Sequence, residues 1–129
     1  MKTQIVLLRI AGVINLIFML FHIAFYRMFH WESTLGCLSQ INRAIMMTYH
    51  CISILIIGFM GIILLLQTKA LLNSILKYGV LSMFALFYLI RIVTEFTMFG
   101  FSWSHSSVIV VMCAVPVIFF VIPLFNKIQ

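Results

Sequence analysis

Two histidines, an arginine and a glutamate stand inside long apolar runs: His22, His50, Arg91 and Glu95. Ionisable groups in such surroundings are costly, face the interior of a bundle and mark candidate functional sites. Imidazoles at positions 22 and 50 are the right type to ligate zinc, copper or iron, or to hold a haem. Glu95, Tyr26 or His105 could complete such a metal shell. The same two imidazoles, with Arg91, could instead give donors and charge to a lipid head group, a quinone or another small amphiphile, held against Phe and Met walls. Spacing limits the metal reading: no HExxH, HxxxH or ExxH pattern puts two strong ligands on one helix. No Ser/His/Asp, Cys/His or paired-carboxylate set is legible. Cys51 adjoins His50, but neighbours on a helix point about 100° apart. A non-enzymatic role is expected.

Every candidate also has a packing role open to it. Arg91 and Glu95 are i,i+4 partners able to neutralise one another. Neutral His22 and His50 can hydrogen-bond across helices, as can Asn15. Gly58 and Gly61 read as sites of close helix approach. Arg27 and Arg43 read as interfacial anchors, and His30 and His105, beside Trp31 and Trp103, as part of an aromatic belt.

The elements that must hold these residues follow from composition. Of 129 residues, 65% are apolar or aromatic and 8% are charged, against about 25% charged in an ordinary soluble domain. This excludes a soluble domain, a disordered chain and a nucleic-acid binder, although the net charge is +6. Three cysteines without a CxxC pair give neither a disulfide framework nor a thiolate metal site. A membrane helix needs about 20 apolar residues, and four runs qualify: 5–29, 44–66, 76–99 and 108–125. Barrel strands would be about half as long and would alternate in polarity. The expected fold is all-α, a single domain over 1–129, with four transmembrane helices in up-down-up-down order. The first run is longer than a signal-peptide core and reads as an uncleaved helix.

Lys2, Arg9, Lys69, Lys77 and Lys127 fall at one end of the spans and both tryptophans at the other. The positive-inside tendency then puts both termini in the cytoplasm. Counting at 1.5 Å per residue, His22 and His50 lie about 10 Å below the opposite, non-cytoplasmic boundary; Arg91 lies about 12 Å and Glu95 about 6 Å below it. Asn15, His22 and Tyr26 share a face of the first helix. Arg43, His50, Ile54, Ile57 and Gly61 share one in the second, and Phe84, Tyr88, Arg91, Glu95 and Met98 one in the third. Three polar stripes at matching depth predict an outward-opening pocket with His22, Tyr26, His50, Arg91 and Glu95 as ligand-binding residues and His22 and His50 as metal or haem ligands.

The segment WESTLGCLSQINRAIMM, residues 31–47, resembles a motif in a group of small four-span bacterial membrane proteins with no assigned activity. Trp31, Leu35, Leu38, Asn42, Arg43, Ile45 and Met46 carry the likeness. It implies a bacterial inner membrane and brings no site residue with it. Size and span number are also similar to the small multidrug resistance exporters, but those carry an essential acid in the first helix, and none is present here. The reading is a small membrane protein whose outer pocket binds a small ligand, lipid or metal. Its alternatives are an accessory subunit of a larger membrane complex and a small dimeric transporter. Membrane lipid is the expected partner, with self-association left open.

Overall fold

A computed structural model describes residues 2–125. Lys127, one of the cations on which the expected orientation rests, lies outside them. Among the described residues the fold is all-α with no strand, and four helices are long and apolar enough to cross a membrane. Helix α1 runs Lys2–Met28, a one-turn helix α2 runs Trp31–Thr34, and α3 runs Gln40–Leu66. A second short helix, α4, covers Thr68–Leu72, followed by α5 (Leu76–Thr97) and α6 (Ser106–Val121), which tightens into a 3-10 turn over Ile122–Phe125.

The ends of these helices have local causes. α3 begins four residues before the apolar run expected for it, because the Ser39 hydroxyl accepts a hydrogen bond from the Asn42 amide at 3.3 Å and caps the first turn. α1 ends at Met28, and His30, two residues on, adopts the left-handed conformation (φ 49°) typical of the residue that closes a helix. The His30 carbonyl then accepts the Ser33 and Thr34 amides, which starts α2 in a new direction.

The bundle is two tight hairpins, α1 against α3 and α5 against α6, joined mainly where α1 meets α6. α3 and α5, consecutive spans expected to be neighbours, are not principal partners. The cause lies in α4, which falls between the second and third expected spans. It buries Thr68, Leu71 and Leu72 and touches α1, α3 and α5, so the chain passes the end of α1 before the second hairpin begins. The core accordingly joins Leu8 and Ala11 of α1, Met60 and Leu64 of α3, Leu81, Phe84 and Tyr88 of α5, and Cys113 and Phe120 of α6.

One hydrogen bond ties the two hairpins together near mid-span. Asn15, fully buried, donates from Nδ2 to the Ala11 carbonyl at 2.7 Å, and its Oδ1 accepts the Tyr88 hydroxyl at 2.8 Å. Hydrogen bonds between membrane helices are worth about 0.6 kcal/mol on average and at most about 2 kcal/mol, because the separated helices find other partners. A double-mutant cycle of Asn15→Ala and Tyr88→Phe, read by unfolding in mixed micelles, is therefore expected to give a coupling of about 1 kcal/mol. Additive single effects would mean that the pair does not hold the hairpins together.

Candidate functional site

α1 and α3 carry the two histidines to each other. The ring centroids of His22 and His50 are 6.4 Å apart, with their planes 23° from parallel. Nδ1 of His22 lies 2.8 Å from the Phe18 carbonyl one turn earlier. A carbonyl only accepts, so Nδ1 carries the proton, and in the neutral ring Nε2 is left as the acceptor. Phe25 stacks on both rings, 4.5 Å from His22 and 5.7 Å from His50. Trp31 meets His50 edge-on at 4.8 Å. The histidines are thus packed into an aromatic cluster at the tryptophan-bearing end of the first hairpin. Among the described residues, no three His, Cys, Asp or Glu side chains gather as a metal-binding group. An ion at this pair would have only two such protein ligands.

Arg91 and Glu95 are brought together elsewhere, on α5 against α6. Arg91 Nη1 lies 2.7 Å from Glu95 Oε2, and the carboxylate is buried while the guanidinium side chain stays 34% exposed. Glu95 has a second partner in Ser106, the buried first residue of α6. The Ser106 hydroxyl oxygen accepts the Ser102 amide at 3.0 Å, which leaves its proton for the carboxylate. A negative charge at the start of α6 also complements the positive end of that helix. Arg91 packs its guanidinium over Phe99, 4.5 Å from the ring centroid.

Tyr26 lies with neither pair. It lines a cleft of about 300 Å³ between the end of α1, the short helix α2 and the start of α3. Trp31, Glu32 and Leu35 form one side of this cleft, and Gln40, Arg43, Ala44 and Met47 the other. Leu35 is buried, Trp31 and Met47 are half-buried, and Glu32, Gln40 and Arg43 are exposed. The cleft therefore has an apolar floor and a polar, charged rim. Trp31 belongs to both the cleft and the histidine cluster, and so couples them.

The expected site thus resolves into three parts: the His22–His50 cluster, the Arg91–Glu95–Ser106 junction and the Tyr26 cleft. Sequence reasoning noticed Tyr26 and Arg43 but missed Glu32, Gln40 and Met47 as companions. A signal was present. Positions 40, 43, 44 and 47 follow the i, i+3, i+4, i+7 spacing of a single helix face, on the same side as His50.

Fold and composition together define a small integral membrane protein of four candidate transmembrane helices. No protein-family model matches the chain, and neither a curated protein nor a solved structure matches it.

Proposed function

We propose that this protein binds a small amphiphilic ligand in the Tyr26–Trp31–Arg43 cleft, at the non-cytoplasmic face of a bacterial inner membrane. The observation that carries this reading is the cleft itself: about 300 Å³, the lower end of the range for small-molecule sites, with an apolar floor and a charged rim. His22 and His50 act as positioning residues behind Trp31, holding the indole that forms the cleft wall. Arg91 and Glu95 neutralise one another along α5, and Glu95 reaches α6 through Ser106. The orientation rests on the lysines gathered at the opposite end and on the tryptophans at this one.

Ala44→Trp tests the reading by filling the cleft from one side, while Ile41→Trp places the same ring on α3 at a residue outside it that is 72% exposed. Wild-type protein and Ile41→Trp, incubated with mixed phospholipids in mild detergent, are expected to retain one bound amphiphile in native mass spectrometry. Ala44→Trp is expected to lose it while keeping the same unfolding midpoint. Equal retention by the two tryptophan variants, or no adduct on any of the three proteins, would overturn the assignment.

A further inference from the structure

We infer that the ligand class of this cleft is a zwitterionic phosphate–ammonium group, the head of an aminophospholipid, with Arg43 taking the phosphate and Glu32 the ammonium. The inference rests on the cleft reading above and names its occupant. The sequence has only two acids. Glu95 is taken up by Arg91 and Ser106, which leaves Glu32. Among the described residues the one ion pair is Arg91–Glu95, so Glu32 and Arg43 line the same small cleft without pairing with each other. Opposite charges held apart on one cleft match a ligand that carries both signs. A guanidinium presents forked donors suited to phosphate oxygens. A carboxylate accepts from an ammonium, and Trp31 and Tyr26, which line the same cleft, are aromatic residues of the kind that attract a cation.

Depth points to a lipid as the source. From Gln40 to Met47 the cleft wall descends about 10 Å along α3, whereas each head-group layer is about 5–8 Å thick. The charged rim therefore falls among head groups, and Ala44 and Met47 fall where acyl chains begin. The volume suits the head and the first carbons of the chains, with the remaining acyl length in the bilayer.

Trp31 can report occupancy directly once Trp103, 83% exposed, is changed to Phe. In that background, in dodecyl maltoside at low salt, emission would be followed during titration with four compounds. These are dioctanoyl phosphatidylethanolamine, dioctanoyl phosphatidylglycerol, a dioctanoyl trimethylammonium lipid without phosphate, and water-soluble phosphoethanolamine. Phosphatidylethanolamine is expected to act at a concentration about tenfold lower than the phosphatidylglycerol or the cationic lipid, the effect of one charge-assisted contact. Glu32→Gln should erase its advantage over phosphatidylglycerol and leave the phosphatidylglycerol curve in place. Arg43→Gln should weaken both phospholipids about tenfold and spare the cationic lipid. Phosphoethanolamine acting as strongly as its lipid keeps the head-group chemistry and assigns the source to a soluble zwitterion. Equal curves for the anionic and zwitterionic lipids, both abolished by Ala44→Phe, which fills the cleft without adding a second tryptophan, would sink the zwitterion assignment and leave the cleft standing. Silence towards all four compounds would sink both.

Discussion

Replacing Gly12 by leucine is expected to separate α1 from α3 and to cost about 3 kcal/mol, the upper end for forcing new atoms into a packed contact. The helices cross with almost no side-chain layer between them. A Cβ on Gly12 would stand 3.0 Å from Leu65 Cγ, 3.1 Å from the Gly61 carbonyl oxygen and 3.2 Å from Leu64 Cβ. A Cβ on Gly61 would in turn meet the Gly12 carbonyl oxygen at 3.1 Å. Lipid gives helices no hydrophobic reason to associate, so close backbone approach and dense packing must hold them. The neighbours also set an order among alanine variants. At Gly58 the obstacle is Met19 Sδ at 2.7 Å, in a flexible side chain that can swing away. At Gly61 the Leu16 tip can move but the carbonyl cannot. At Gly12 two of the three obstacles are a backbone oxygen and a Cβ. Unfolding in dodecyl maltoside–SDS mixtures should rank the costs Gly58→Ala, Gly61→Ala, Gly12→Ala from least to greatest. Equal costs at Gly58 and Gly12 would contradict a crossing set by backbone contact.

This crossing was half legible in the sequence, and the half that was missed has a physical reason. Gly58 and Gly61 stand out in an apolar helix as small residues one turn apart. Gly12 has no small partner at helical spacing, since positions 8, 9, 15 and 16 are Leu, Arg, Asn and Leu, and its role exists only because α3 lies against it. The same division runs through the molecule. Span number and helix type follow from run length, since a backbone in lipid must bond to itself. Which helices touch depends on the path of α4, and Leu71 and Leu72 in a short polar segment do not reveal that they pack under α1. Depth counting put His22 and His50 at one level, and their rings do meet. It put Arg91 and Glu95 near that level too, yet depth carries no azimuth. Their pairing was visible as an i,i+4 relation; Ser106 was not, because its contact with Glu95 depends on how the second hairpin closes. The sequence marks Asn15 as interhelical glue and places Tyr88 on the polar stripe of α5, but only the arrangement of the hairpins matches the two.

Arg91→Leu is expected to be the most damaging change in the second hairpin, at about 3 kcal/mol, and far more damaging than Glu95→Gln. The two partners are not equivalent. Glu95 is buried, 4% exposed, and removing the guanidinium leaves its carboxylate with the Ser106 hydroxyl alone. Breaking a buried pair from one side costs about 3–5 kcal/mol, because the remaining charge has lost its counter-ion; the lower figure applies here because Ser106 and the start of α6 still partner the anion. Glu95→Gln removes the buried charge itself. The amide can still accept from Ser106, and Arg91, already one-third exposed, can extend its head towards the interface as long basic side chains do. A cost of less than about 1 kcal/mol is expected there. Cys113, buried on α6 of the same hairpin, provides the readout in a Cys37→Ser, Cys51→Ser background, where a thiol-reactive dye reports opening of α5–α6. Labelling should be fast for Arg91→Leu and near the parent rate for Glu95→Gln. The double variant Arg91→Leu, Glu95→Gln should recover most of the loss, since it leaves no uncompensated charge in the hairpin. Equal labelling of the two single variants, or a double variant worse than Arg91→Leu, would mean that the pair is not a structural junction and that Glu95 must be sought again as a functional acid.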